Sequence, residues 1–295
     1  MQYPTEVSKM ELCFHDLKKN YGSKQALRGI SVSLREGVYG LLGPNGAGKS
    51  TLMNILTGNL HASSGYISLD GEDVRAMGTR YQARIGYLPQ QQCYYPGFTA
   101  EQFLYYIAAL RGMKKPDASR RIDELLDHVG LSDVRRKRLS GFSGGMRQRL
   151  LFAQAVLADP DILVLDEPSA GLDPKQRIQL RNLVGELARD KIVLFSTHVV
   201  SDVAYIGRRF LFLSDGALIR DGSYAELTKP LAGKVWELRV PPEQLEAASC
   251  FGTLCAQSRA GEDFLLRVLS DTRPPFPAEN VTPSLEDVYL DCFGG

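Results

Sequence analysis

Residues 43–50 read Gly43-Pro44-Asn45-Gly46-Ala47-Gly48-Lys49-Ser50, which fits the pattern G-x-x-x-x-G-K-[ST] at every fixed position. Glycines at these intervals let the backbone curl until several N–H groups point at one anion, and a helix starting at the end of the loop adds its positive pole. Lys49 can then reach the β- and γ-phosphates of a nucleotide, and the Ser50 hydroxyl, with Thr51 beside it, can face Mg²⁺. A second group of chemistry-bearing residues follows the apolar run Ile162-Leu163-Val164-Leu165, which ends in Asp166-Glu167. A carboxylate at the end of a buried strand can hold Mg²⁺ directly or through water, and the next one can orient or deprotonate an attacking water. Together the two groups indicate a chain that binds and hydrolyses a nucleoside triphosphate.

These groups need a sheet to carry them. Val38-Tyr39-Gly40-Leu41-Leu42 predicts a buried strand leading into the loop, and Thr51–Thr57 predicts a helix leaving it. Further strands are predicted at Glu11–His15, Ile30–Leu34, Tyr66–Leu69, Arg84–Leu88 and Ile192–Phe195, with a hairpin around Ser214-Asp215-Gly216. Residues 99–158 change character, with helical spacing over Ala100–Leu110, Ala118–Val129 and Met146–Leu157. Beyond Pro230 the pattern restarts with Val235–Val240, strands near Leu254 and at Phe264–Leu269, a proline-rich connector and a last helix near Ser284. Strands alternating with helices predict an α/β sheet with a helical insertion at about 91–158, within one large unit over 1–228 and a small one over 229–295.

Composition narrows the function classes. The formal net charge is +1, so no global field attracts nucleic acid, and Arg135-Arg136-Lys137-Arg138 reads as a solvated face. The five cysteines (Cys13, Cys93, Cys250, Cys255, Cys292) are odd in number and scattered, as in a cytosolic protein with reduced thiols. No stretch approaches the ~20 apolar residues that span a bilayer, and the segment Met1–Glu11 does not read as a signal peptide.

Leu139-Ser140-Gly141-Phe142-Ser143-Gly144-Gly145-Met146 is a second glycine-rich sequence before a helix. Here the chain resembles the ATP-binding cassette family, whose signature reads leucine-serine-glycine-glycine-glutamine. Ser143, Gly144 and Gly145 match, whereas Phe142 and Met146 replace the leucine and the glutamine. Other elements of the family follow in order. Tyr21 stands where an aromatic stacks on adenine, and Gln90 where a glutamine senses the γ-phosphate and Mg²⁺. Asp173 lies in the loop that crosses to a second cassette, and His198 matches the histidine that steadies the attacking water. The resemblance covers roughly residues 9–225. It implies a P-loop cassette with a mainly parallel core sheet, an antiparallel β subdomain and a helical insertion, followed by a small α+β domain.

The resemblance also implies a mechanism. Two cassettes dimerise head to tail, each ATP lying between one chain's Gly43–Ser50 loop and the other's Ser143–Gly145 signature. The expected protein is an ATPase subunit at the cytoplasmic face of the membrane, paired with a separate multi-pass permease and with no nucleic acid partner. Pro283–Leu290 is similar to the closing helix of drug, antibiotic and lipid exporters, which favours export. An importer cassette, or a soluble cassette acting on ribosomes or nucleic acid, is the alternative.

Overall fold

A computed structural model describes residues 10–90 and 95–294; Cys93 and most of the Met1–Glu11 segment lie outside the described residues. In chain order the first strands are β1 (Glu11–Tyr21), β2 (Lys24–Arg35), β3 (Gly37–Leu42), β4 (Ser64–Leu69) and β5 (Glu72–Asp73). They are followed by β6 (Ile85–Leu88), β7 (Ile162–Asp166), β8 (Ile192–Thr197), β9 (Gly207–Ser214) and β10 (Ala217–Gly222). Six of these form one sheet in the order β10-β9-β3-β8-β7-β6, parallel except for β10 at the edge. The antiparallel sheet β2-β1-β4-β5 packs beside it.

The core strands read as unbroken apolar runs because both faces of the sheet are covered. Alternate residues divide between two apolar clusters. Tyr39, Leu41, Ile162, Val164, Ile192 and Leu194 face the antiparallel sheet and the helix Lys49–Leu56. Val38, Leu42, Leu163, Leu165, Val193 and Phe195 face the helical insertion. The insertion consists of the helices Ala100–Leu110, Lys115–His128 and Gly144–Val156. A reciprocal cap between Thr99 and Gln102 starts the first. The second begins three residues before the spacing predicts, where Pro116 in the first turn suits a helix start. In the basic run that follows, Arg135 pairs with Glu101 and Asp123, while Arg136, Lys137 and Arg138 face solvent.

One substantial helix, Pro174–Leu187, has no counterpart in the sequence reading. It buries only Leu180 and Val184 deeply, so its apolar stripe is too thin to register as a period.

The C-terminal strands are β11 (Val235–Val240), β12 (Thr253–Ala260), β13 (Asp263–Leu269) and β14 (Ala278–Asn280), antiparallel in the order β12-β13-β11-β14. The helix Leu245–Ser249 supplies Ala248 to a small core with Leu238, Val240, Leu266 and Val268. The closing helix Leu285–Phe293 lies between this sheet, which it meets at β12, and β9 of the six-stranded sheet. Its Leu285 and Val288 are fully buried in the large cluster that also holds the helical insertion. Asp287, also fully buried, receives Arg267 Nε at 2.9 Å and Nη2 at 2.7 Å, and the Ser284 N–H at 2.7 Å. Burial acts to raise the Asp287 carboxyl, but the Arg267 and Ser284 hydrogen bonds outweigh it and hold the group below its ordinary value.

Removing one member of a buried pair strands the other, so Asp287→Ala is expected to cost roughly 3–5 kcal/mol. Trp236, the single tryptophan, lies on β11 and reports the loss as a lower denaturant midpoint in fluorescence. Because the folded pKa is depressed, the carboxylate's contribution is present above the ordinary carboxylate range. It is lost as pH falls through the lowered value, so wild type and variant converge in acid.

Candidate functional site

Parallel strands point their carboxyl ends the same way, so whatever follows β3, β6, β7 and β8 gathers at one edge of the sheet. The loop Gly43–Ser50 follows β3, Gln90 follows β6, Asp166 closes β7, and His198 follows β8. A cavity of about 420 Å³ opens there, lined by Tyr21, Lys24, Ala26, Asn45, Gly46, Gly48, Lys49, Ser50, Thr51, Gln90, Asp166 and Glu167. Residues more than 140 positions apart in the chain thus share one wall of charge and backbone N–H groups.

The loop holds its curl through close backbone approaches. A Cβ on Gly43 would lie 2.2 Å from the Leu213 carbonyl oxygen, and one on Gly48 would lie 2.7 Å from the Ala26 carbonyl oxygen. Gly48 also sits at φ +108° as the N-cap of the helix Lys49–Leu56, a conformation that side chains resist. Ala47 turns its methyl into the apolar cluster beneath, and its carbonyl accepts the Gly216 N–H at 2.9 Å. The hairpin turn between β9 and β10 therefore supports the loop from below. Pro44 is exposed at the loop's tip.

Lys49 is buried, and its ammonium donates to the Gly43 carbonyl at 2.6 Å and to the Pro44 carbonyl at 3.1 Å. Burial lowers its pKa, and the negative charges of Glu167 and Asp166 work against that shift without cancelling it. A phosphate arriving at the loop would exchange these neutral carbonyls for charged oxygens, a stronger partner for the ammonium. Asp166 is 3% exposed and accepts the Ser196 hydroxyl at 2.9 Å across the β7–β8 register pair. The neighbouring Tyr87 phenol is pushed up to about 12, first by burial and then by the Asp166 charge.

Glu167 sits at φ +51°, in the left-handed region, at a cost of about 1–3 kcal/mol. That conformation turns the chain sharply after the strand, leaving the carboxylate in the cavity wall. His198 Nδ1 lies 2.9 Å from Glu167 Oε2 while the imidazole itself is 62% exposed. A carboxylate only accepts, so Nδ1 donates in this contact; His198 meets the cavity through Glu167 and is not itself among the residues lining it.

Tyr21 lines the cavity with half its surface exposed, a flat face available for stacking. Ser143, Gly144 and Gly145 begin the helix Gly144–Val156, and the Ser143 oxygen accepts the Met146 N–H at 3.2 Å as its N-cap. Asp173 caps the helix Pro174–Leu187. None of these four is among the residues lining this cavity. Four contributors escaped the sequence reading. Ser196 fixes Asp166 from the neighbouring strand, a pairing across 30 residues that no local pattern marks. Lys24 and Ala26 line the nucleotide cavity from the β1–β2 hairpin. Gln148, 2% exposed, donates to the Pro168 carbonyl at 2.8 Å and ties the signature helix to the turn after Glu167; no local pattern marks it.

A parallel sheet with a lysine-bearing glycine loop after one core strand and an aspartate ending another defines a P-loop nucleoside triphosphatase. The chain matches the ABC transporter family over residues 27–170, and it belongs to the ATP-binding proteins of those transporters. The ABC transporter ATP-binding protein YxlF of Bacillus subtilis is 39% identical to it over 95% of this chain and 98% of that one. The linearmycin resistance ATP-binding protein LnrL of the same organism is 33% identical over 74% of this chain and 71% of its own length. The Nod factor export ATP-binding protein I of Burkholderia orbicola is 37% identical over 71% and 70%. Among solved structures, the ATP-binding subunit of an ABC transporter superposes with a TM-score of 0.69 at 27% identity, covering 74% of this chain and 92% of that one. The cassette MJ0796, seen as a dimer in a post-hydrolysis state with ADP and Pi, has the same fold (TM-score 0.66, 24% identity, 72% of this chain and 98% of that one). The protein is therefore an ATP-binding cassette ATPase.

Replacing Lys49 with alanine removes a charge-assisted contact, worth about 1.5–3 kcal/mol, or on the order of 10- to 100-fold in nucleotide affinity. Titration with a fluorescent ATP analogue measures this, and wild-type affinity in Lys49→Ala would show that the loop does not carry the phosphates.

Proposed function

We propose that this chain powers export through a separate multi-pass permease, working as a head-to-tail pair of cassettes at the cytoplasmic face of the membrane. Glu167 acts as the base or orienting group for the attacking water, and His198 steadies that water against the γ-phosphate. Tyr21 stacks on adenine, while the loop from Gly43 to Thr51 holds the phosphates. Ser50, Gln90 and Asp166 offer the hard oxygen donors that suit Mg²⁺, which would neutralise phosphate charge there. Ser143, Gly144, Gly145 and Asp173 serve the partner cassette's nucleotide. Residues 229–295 form an accessory domain.

The observation that carries this reading is a division of labour. The cavity brings together Tyr21, the loop, Gln90, Asp166 and Glu167, yet the Ser143–Gly145 helix start, also built to receive an anion, does not line it. A second copy supplies the missing wall most economically. The export direction is supported by the names of the linearmycin resistance and Nod factor export relatives. Among the described residues no helix is long and apolar enough to cross a membrane.

Glu167→Gln is expected to lower turnover on the order of 10²- to 10⁴-fold and to accumulate as an ATP-bound dimer in sedimentation velocity; normal turnover would remove Glu167 from this role. Gentle extraction of the tagged protein from native membranes is expected to bring down a stoichiometric multi-pass protein. Recovery with ribosomes or nucleic acid instead would retain the ATPase and overturn the transport assignment.

A further inference from the structure

The short helix Ser201–Ala204 joins the two halves of the hydrolytic pair. It begins three residues after His198. Its Asp202, 8% exposed, accepts the hydroxyl of Ser169, two residues beyond Glu167. Arg177 stands 3.8 Å from the same carboxylate, and its Nε donates to the Leu172 carbonyl at 3.3 Å. One short helix therefore continues from the histidine and grips the loop that carries the glutamate.

The closing helix Leu285–Phe293 packs against that short helix. Leu285 and Val288 share a continuous apolar cluster with Val200, Val203 and Phe212. The Phe293 ring stacks on Phe212 at 6.2 Å, and Tyr289 lies against Phe293 at 4.8 Å. Leu285 and Val288 already fill the core, so the half-buried Tyr289 adds little to core volume. Its ring packs against the same apolar cluster that holds Val200 and Val203, and its phenol is held above its ordinary pKa by burial and then by the charge of Glu167. The helix is fastened at both ends. Asp291 pairs with Arg220 of β10 at 2.6 Å, and Asp287 pairs with Arg267 of β13, which also reaches Glu237 of β11 at 3.2 Å. It is a strut between the C-terminal sheet and the hydrolytic edge of the ATPase unit.

We propose that the closing helix is a positioning element for ATP hydrolysis: packed through the apolar cluster that Leu285, Val288 and Tyr289 share with Val200 and Val203, it braces Ser201–Ala204 and so holds Glu167 and His198 in working geometry. This rests on the assignment of that pair to hydrolysis. The C-terminal sheet thereby acquires a route to the reaction, since displacement of β11 or β13 is passed along the helix through Arg267–Asp287. Tyr289 acts on turnover and leaves nucleotide affinity to the loop.

The test uses the full chain and compares Tyr289→Ala, Tyr289→Phe and Arg220→Ala. Steady-state kinetics with MgATP and equilibrium binding of a methylanthraniloyl ATP separate turnover from affinity. Tyr289→Ala is expected to lower kcat by about 3- to 30-fold, with KM and nucleotide affinity held within about twofold. Tyr289→Phe, which keeps the ring, restores turnover. Arg220→Ala loosens the helix from the solvent side and lowers kcat in the same direction, which decides the matter if Tyr289→Ala proves poorly folded. In a Glu167→Gln background, Tyr289→Ala should leave the ATP-bound dimer intact. Loss of that dimer, a fall in affinity matching the fall in turnover, or unchanged kcat in both Tyr289→Ala and Arg220→Ala would each overturn the proposal. Normal turnover in Glu167→Gln alone would instead remove the underlying assignment, whatever Tyr289 does.

Discussion

The ammonium of Lys49 is buried in the field of two carboxylates, Asp166 and Glu167, and the rest of the structure exists to keep those three charges in place. Burial disfavours the ammonium, and its attraction to the two carboxylates offsets only part of that penalty. Such an arrangement persists where rigid elements hold it. The parallel register of β3, β8 and β7 provides the rigidity, because strands running the same way bring their carboxyl ends to one line. The apolar clusters on the two faces of the sheet then lock the register, since a slip of one residue would turn every side chain to the wrong face.

The polar groups around the three charges follow from the same constraint. Ser196 fixes Asp166, loop carbonyls hold Lys49, and His198 meets Glu167, so the buried charges have partners before any nucleotide arrives. The loop depends in turn on the hairpin between β9 and β10, which supports it through Gly216. Glu167, in its left-handed conformation, is steadied from two directions. The Gln148 bond to Pro168 and the Ser169 bond to Asp202 both bear on the segment that carries it. Elements distant in sequence thus converge on one strained turn.

Much of this was legible beforehand. The phosphate loop, the strand ending in Asp166-Glu167, and the strand before His198 could be read because fully buried parallel strands appear as short unbroken apolar runs. The capped helices of the insertion showed the expected spacing, and the structure shifts their limits by only a few residues. The helix Pro174–Leu187 was not legible, since two deeply buried positions make no visible stripe. Ser196, Gln148 and Asp202 were silent for another reason. Each matters through a partner 19 to 33 residues away, and no local period encodes such a pairing.

The sequence by itself determined the loop's chemistry and its curl, because the positive φ of Gly46 (+84°) and Gly48 (+108°) is a local conformation that glycine alone adopts freely. It also determined the apolar strands and the acidic pair that ends one of them. Tertiary structure decided which of those groups meet. It placed Lys49 in one cavity wall with Asp166 and Glu167, left the Ser143–Gly145 helix start outside that cavity, and set the closing helix between its own sheet and the segment behind His198. Such meetings depend on how two faces of one sheet are covered, a property of packed volume and strand order that no single stretch of the chain contains.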